Sequence, residues 1–185
     1  GQVTININPQ VQIGFLNGGA LLCYGANSTN LTAIVTGGTP GLSYVWSGPN
    51  IISGQGTSTI EVGSAGAYAI QVLDQSGCPP STRGVQVFQQ VQQPVAFAGL
   101  DQYICQATSN STVSLNGQVQ NSNGSLWTGG SGTFNPSNDN VAAIYTPSAS
   151  ELQNGSVTLT LNTAQNGTCP EQSDAVTIYF STALQ

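Results

Sequence analysis

Hydrophobic and polar residues alternate with a period of two in short stretches along the whole chain. This alternation predicts half-buried β-strands, whereas the i, i+3, i+4 spacing of an amphipathic helix is not sustained over a useful length. Turn-forming residues, among them 23 glycines and 9 prolines, separate the stretches. The predicted strands are Val11–Phe15, Leu31–Thr36, Leu42–Ser47, Ser58–Val62, Ala67–Leu73 and Val85–Phe88 in the first half, and Val95–Phe97, Thr112–Val119, Ser125–Thr128, Val141–Tyr145, Ser156–Leu161 and Ala175–Phe180 in the second.

These strands fall into two halves of similar size, each of which fits one immunoglobulin-like β-sandwich of roughly 100 residues. The polar stretch Gln89–Pro94 separates the halves, because a proline cannot join a central ladder. We therefore predict an all-β chain of two tandem modules, residues 9–90 and 91–185. Residues 1–8 contain a run, Val3–Ile7, that resembles the closing run of each half. We expect it to be the last strand of a preceding module in a repeat array, or else the first strand of the first module.

The cysteines repeat with the same spacing in both halves. Trp46 follows Cys23 by 23 residues, and Trp127 follows Cys105 by 22. Four cysteines allow three pairings, and the repeated spacing favours one disulfide in each module. Each bridge would close roughly 55–65 residues and contribute about 4 kcal/mol in the loop-entropy model. The predicted pairs are Cys23–Cys78 and Cys105–Cys169.

Two other interpretations of the cysteines bear on location and chemistry. Zinc binding, the alternative to disulfides, needs close C-x-x-C spacing, which the sequence lacks. Paired cysteines indicate an oxidising compartment outside the cytoplasm. We therefore expect an exported, extracellular or cell-surface protein.

The charge balance excludes several classes of function. Only 4% of the residues are charged, the net charge is −6, and Arg83 is the only basic residue. Nucleic acids and anionic membrane surfaces require clusters of Lys and Arg, so neither is expected as a partner. No apolar run approaches the ~18–20 residues of a membrane span, which argues against direct membrane insertion. Without histidine the chain also lacks the usual general base and imidazole metal ligand.

Three aromatic residues are predicted to lie in the core. Trp46 shares a strand face with Tyr44, and Trp127 holds the corresponding place in the second half. Tyr68 follows Gly66-Ala67 and is similar to a tyrosine corner, a structural hydrogen-bonding device of these sandwiches. The alternative function is an exposed aromatic platform that stacks on sugar rings. The aromatics considered for it are Tyr24, Trp127, Tyr145 and Tyr179.

The acidic residues form no recognisable catalytic constellation. Glycoside hydrolysis needs two carboxyl groups about 5–9.5 Å apart, and the chain shows no pattern that predicts such a pair. A calcium site between the modules using Asp101 is the alternative, although an EF-hand pattern is absent. We expect solvated surface acids, no catalytic residues, no metal ligands and no cofactor. The acids are Glu61, Asp74, Asp101, Asp139, Glu151, Glu171 and Asp174.

Residues 23–78 resemble an SprB-type repeat of the giant surface proteins of gliding Bacteroidetes. The matching segments are Cys23–Gly25, Val35–Pro40, Tyr44–Ser47, Ala65–Tyr68 and Val72–Cys78. Residues 94–180 are similar to a PKD-like, immunoglobulin-fold repeat of the same class of proteins. The matching segments there are Ala98–Cys105, Trp127, Gly130–Phe134, Tyr145–Ser148, Gly155–Leu161 and Cys169–Pro170.

The resemblance implies a fragment of a large, exported, surface-anchored filamentous adhesin with roles in cell adhesion and gliding motility. Its partners would be neighbouring modules of the same chain and, beyond them, surface polysaccharide or other surface proteins. Such repeats also occur in secreted enzymes. The alternative is therefore a carbohydrate-binding or spacer module of a secreted polysaccharide-degrading enzyme.

Overall fold

A computed structural model describes residues 9–105 and 107–181. The chain divides into two compact units, and the boundary lies between Val91 and Gln92. We call them the N-terminal and the C-terminal unit. The run at residues 1–8, interpreted above as a strand of a preceding module, lies outside the described residues.

The N-terminal unit is built from two four-stranded sheets, with strand orders β1-β3-β6-β5 and β2-β8-β7-β4. Most neighbouring strands are antiparallel, but β2 runs parallel to β8. A single 3-10 turn, Leu16–Gly18, lies between β1 and β2, where the chain passes from the first sheet to the second. The strands are β1 Gln12–Phe15, β2 Ala20–Leu22, β3 Thr29–Thr36, β4 Ser43–Ser47, β5 Ile51–Ser53, β6 Thr59–Val62, β7 Gly66–Leu73 and β8 Ser81–Gln89.

The core of the N-terminal unit lies between its two sheets. In β7, Tyr68, Ile70 and Val72 are buried and alternate with more exposed residues, as the period of two requires. Leu31 and Ile60, from the other sheet, are fully buried in the same cluster. Facing sheets that share one apolar layer make this unit a β-sandwich.

The C-terminal unit contains a four-stranded sheet, β10-β17-β16-β13, a three-stranded sheet, β11-β15-β14, and the pair β12-β9. Its last strand, β17, runs parallel to the early strand β10, just as β8 runs parallel to β2. The elements are β9 Val95–Phe97, β10 Gln102–Cys105, β11 Val113–Ser114, β12 Gln118–Gln120, β13 Gly124–Thr128, β14 Thr133–Asn135, β15 Ile144–Thr146, α1 Ala149–Asn154, β16 Ser156–Ala164 and β17 Ser173–Ser181.

A second, separate core fills the C-terminal unit. Leu159 and Leu161 of β16 are fully buried and pack in one cluster with Trp127, Tyr145 and Ile178. The predicted all-β class is correct, and the period-two burial of β16 is the pattern from which it was predicted. Of the helical segments that the structure describes, none is long and apolar enough to cross a membrane.

Several elements differ from the sequence-based prediction, among them four short strands that it missed, β2, β5, β10 and β14. The expected strand Thr112–Val119 is two short strands, β11 and β12, in different sheets. Between them Gly117 packs so closely that a Cβ would lie 2.7 Å from the Trp127 ring. The helix α1 was not predicted because six residues are too few to show helical periodicity.

Candidate functional site

The two cysteines of the N-terminal unit lie at opposite ends of its last strand. Cys23 directly follows β2, and Cys78 lies in the loop between β7 and β8. Leu22 of β2 pairs with Gln89, the final residue of β8, whereas Cys78 precedes Ser81, the first residue of β8. A nine-residue strand spans roughly 26 Å, and a disulfide requires Cα atoms about 4.4–6.8 Å apart. Cys23 and Cys78 therefore cannot bond within this unit.

The C-terminal unit repeats this arrangement. Cys105 ends β10 opposite Ser181, the final residue of β17, in the parallel pairing of these strands. Cys169 lies before Ser173, at the other end of β17. The same distance argument separates Cys105 from Cys169.

The oxidation states agree with this geometry. Cys23 and Cys169 are disulfide-bonded, whereas Cys78 and Cys105 are exposed free thiols among the described residues. Each predicted pair, Cys23–Cys78 and Cys105–Cys169, therefore contains one bonded and one free cysteine. The prediction of one disulfide inside each module is wrong. The repeated spacing reflects a repeated topology that places one cysteine at each end of a unit.

Bonded cysteines remain informative about location. A disulfide persists in oxidising surroundings and is rare in the reducing cytoplasm. The oxidised state of Cys23 and Cys169 fits an extracellular protein.

The loop that carries Cys78 is ordered by Asp74. One carboxylate oxygen accepts hydrogen bonds from the Ser76 hydroxyl and, at 3.1 Å, from the Ser76 backbone N–H. The other accepts from the Thr39 N–H at 2.9 Å. The Ser76 hydroxyl in turn accepts the Cys78 N–H at 3.3 Å. These hydrogen bonds lower the pKa of Asp74 from 3.8 to about 2. The Ser76 hydroxyl has the largest effect, and the Thr39 N–H has the next largest.

An open groove of about 610 Å³ adjoins this loop, and Cys78 contributes to its wall. The groove combines a proline-rich rim with one acid and the single arginine of the chain. Its lining includes Pro9, Asp74, Cys78, Pro79, Pro80 and Arg83.

The three aromatics assigned to the core are buried. Trp46, Trp127 and Tyr68 are at most 3% exposed. The Tyr68 hydroxyl donates to the carbonyl oxygen of Ser64 at 2.9 Å, and it accepts a longer bond from the Asn50 N–H. This contact with a backbone a few residues upstream is the geometry of a tyrosine corner.

A buried polar network in the C-terminal unit was missed by the sequence analysis. Glu151 of α1 is only 6% exposed, so its interpretation as a solvated surface acid is wrong. Its carboxylate accepts hydrogen bonds from the Tyr145 hydroxyl at 2.7 Å, the Ser131 N–H at 2.6 Å and the Ser148 N–H at 2.7 Å. The Tyr145 hydroxyl accepts the Gly132 N–H at 2.8 Å. The network fastens α1 to β15 and to the loop between β13 and β14.

The charge states in this network follow from burial and hydrogen bonding. Burial by itself would raise the pKa of Glu151, but the donors on Ser131, Ser148 and Tyr145 outweigh it and lower that pKa. Burial and the hydrogen bond to the Glu151 carboxylate raise the pKa of Tyr145 from 10.0 to about 12. The sequence feature that could have indicated helix α1 is its capping box, a Ser followed three residues later by Glu. Gly155, in the left-handed region, ends the helix.

Two further acids bond to the backbone. Asp174 accepts the Ala98 N–H at 2.8 Å, and Asp101 accepts the Thr177 N–H at 2.8 Å. Within the described part of the chain, no group of three or more acidic, cysteine or histidine side chains is placed to hold a metal ion.

Of the four candidate sugar-stacking aromatics only two are exposed, and these two belong to different units. Trp127 and Tyr145 are fully buried, whereas Tyr24 is 52% and Tyr179 is 38% exposed. Tyr179 stacks on exposed Tyr103 with ring centroids 4.8 Å apart, so part of its ring face is already covered.

No known protein-family model matches the chain, and no curated protein matches it in sequence. Solved structures do match in fold. The fibronectin(III)-like modules of Clostridium thermocellum CbhA superpose with a TM-score of 0.60 at 14% identity, covering 92% of this chain and 95% of theirs. The I-band fragment I67-I69 from titin gives 0.46 at 16% identity over 95% of this chain, and Sidekick-1 immunoglobulin domains 1-5 give 0.46 at 13% identity over 95%. The chain spans 66% and 39% of those two structures. The match to the CbhA modules shows that the chain has a fibronectin-III-like β-sandwich fold.

Proposed function

We propose that the chain is a non-catalytic structural segment of a large filamentous adhesin on a bacterial cell surface, with two tandem modules at residues 9–90 and 91–185. The observation that carries the proposal is the repeated plan of the two units. In each one, an early strand lies parallel to the last strand, and a cysteine marks either end of that last strand.

The parallel pairing suits a protein that bears tension. When a unit is pulled through its two chain ends, the early strand and the last strand are drawn in opposite directions along their length. The hydrogen bonds between β2 and β8, and between β10 and β17, are then loaded together in shear rather than broken one after another. Neither unit needs a ligand for this function.

The composition supports a role outside the cell. One basic residue among 185 gives trypsin-like proteases a single cleavage site, while hydroxyl and amide side chains keep the surface hydrated. The motifs shared with SprB-type and PKD-like repeats extend this to cell adhesion and gliding motility. The expected partners are neighbouring modules and, at the surface, polysaccharide or other surface proteins.

Single-molecule force spectroscopy under reducing conditions tests the mechanical part of the proposal. We expect two unfolding events, each lengthening the chain by roughly 3.3–3.6 Å per residue of one unit. Leu22→Ala removes a buried side chain from β2 and should lower the force of one event, while the other event, from the C-terminal unit, is the internal control. One event for the whole chain, or equal forces in both proteins, would contradict the proposal.

Binding to surfaces separates an adhesin from a module of a polysaccharide-degrading enzyme. We expect attachment to whole-cell or abiotic surfaces without selective recognition of one soluble glycan. Selective binding on a glycan array, abolished by Tyr24→Ala or Tyr179→Ala, would favour the carbohydrate-binding alternative, because these exposed rings are the remaining candidates.

A further inference from the structure

We propose that Cys78 and Cys105 are linking cysteines, which form disulfides between copies of the module pair. The Cys105 end of one copy would bond to the Cys78 end of the next. This inference rests on the proposed function, since it describes how successive repeats of a filament are joined.

The internal repeat supplies the first observation. Cys105 closes β10 opposite the end of β17, and Cys23 holds the corresponding place after β2 opposite the end of β8. Cys78 precedes β8 as Cys169 precedes β17. Cys23, the equivalent of Cys105, and Cys169, the equivalent of Cys78, are both disulfide-bonded. Neither is bonded to the other cysteine of its own unit, because those cysteines are free. The position beside the end of the last strand and the position before its start are therefore each disulfide-bonded in one of the two units.

The surroundings of the free thiols supply the second observation. Both are exposed, so a partner sulfur can reach them without unfolding either unit. They also differ in shape. Cys105 lies at the tip of a strand, whereas Cys78 lies in the wall of the groove of about 610 Å³, on a loop held by Asp74 and Ser76. The two thiols thus have different surroundings, a paired strand end and a groove wall, and we expect unlike ends to bond in preference to like ends.

The chemistry is an ordinary two-electron oxidation. The Cys78 and Cys105 thiols lose two protons and two electrons as one Sγ–Sγ bond forms. A disulfide oxidant, either a small-molecule disulfide or an extracytoplasmic dithiol oxidoreductase, accepts them as its own S–S bond breaks to give two thiols. The exchange passes through a mixed disulfide between the oxidant and one of the two cysteines.

The test uses two single variants of the full chain. Cys78→Ser leaves only Cys105 as a free thiol, and Cys105→Ser leaves only Cys78. The variants, one of them isotope-labelled, are mixed at equal concentration in a buffer of reduced and oxidised glutathione and brought to equilibrium. Intact mass spectrometry without reductant then gives the two homodimers and the heterodimer.

We expect the heterodimer to exceed its statistical share by about tenfold in the equilibrium ratio, which corresponds to about 1.4 kcal/mol. The matched control carries an exposed thiol elsewhere, Gln120→Cys in the Cys78→Ser, Cys105→Ser background, and should give the statistical ratio with either variant. A statistical ratio for the Cys78 and Cys105 ends, or an excess of either homodimer, would overturn the proposal.

A second arm distinguishes a neighbouring module of one chain from a separate copy. Two copies joined in one polypeptide should form the bond between the first Cys105 and the second Cys78 at protein concentrations where separate copies remain monomeric. A bond that forms only between separate polypeptides would overturn the role in joining successive repeats. Force resistance of the units does not depend on these thiols, so failure here leaves the proposed function separately testable.

Discussion

The buried hydroxyl of Tyr145 gives the sharpest test of the packing in the C-terminal unit. Tyr145→Phe keeps the ring in the core but removes the donor to Glu151 and the acceptor of the Gly132 N–H. A hydrogen bond to a charged group is worth about 1.5–3 kcal/mol, and a buried N–H left without a partner costs about 1–3 kcal/mol. We therefore expect the unit to lose about 3 kcal/mol of unfolding free energy.

This loss is large for a domain of this size. At 0.05–0.15 kcal/mol per residue, a unit of about 90 residues is stable by roughly 5–13 kcal/mol. A loss of about 3 kcal/mol should lower its melting temperature by roughly 12–24 °C. Hydrogen exchange followed by mass spectrometry in increasing urea measures both units at once, because peptides from β16 and β7 report on them separately.

The matched control is Tyr103→Phe, the same chemical change on a side chain that is 73% exposed in the same unit. It should alter the unfolding free energy by less than about 0.5 kcal/mol. If Tyr145→Phe were equally mild, the network around Glu151 would contribute little to stability. A loss of similar size in the N-terminal unit would show instead that the two cores are not independent.

Further predictions concern pH and close packing. Because the pKa of Tyr145 rises from 10.0 to about 12 on folding, its stabilisation is complete below pH 10 and is lost between pH 10 and 12, so urea titrations of wild type and Tyr145→Phe should converge there. The pKa of Glu151 is lowered on folding, so its stabilisation is present above pH 4.5 and is lost as the pH falls through the folded-state value; Glu151→Gln should lack this acid-sensitive part in the same titration. Asp74, with a pKa of about 2, should keep the Cys78 loop protected from hydrogen exchange until the pH falls from 3.8 towards 2, and Asp74→Asn should expose it at neutral pH. Gly48→Ala would place a Cβ 2.1 Å from the Tyr68 ring and should cost the N-terminal unit about 1–3 kcal/mol in urea unfolding; an unchanged midpoint would contradict that packing.

The local alternation of hydrophobic and polar residues was enough to predict much of the fold. The strand predicted at Ala67–Leu73 is β7, Gly66–Leu73, because residues on a half-buried strand must alternate between core and solvent. The short strand Ile51–Ser53 was missed, since three residues give too little pattern to recognise. Thr112–Val119 failed for a different reason, because the tight contact of Gly117 with Trp127 depends on tertiary packing.

The cysteine pairing could not be derived from spacing. Equal intervals between cysteines show that two segments are equivalent, but they do not show which ends of the strands meet. The parallel pairing of β2 with β8 is a long-range contact, and it alone places Cys23 far from Cys78. The surroundings of Glu151 also depend on contacts between distant residues, which the sequence pattern does not reveal. The capping box was visible in the sequence, but the burial of its carboxylate under Ser131 and Tyr145 was not.

Mapping the thiols of the chain without reduction tests the central claim most directly. Alkylation of the folded monomer, digestion and mass spectrometry should find Cys78 and Cys105 alkylated and Cys23 and Cys169 released only after reduction. A disulfide-linked peptide joining Cys23 to Cys78, or Cys105 to Cys169, would contradict the placement of these cysteines at opposite ends of each unit.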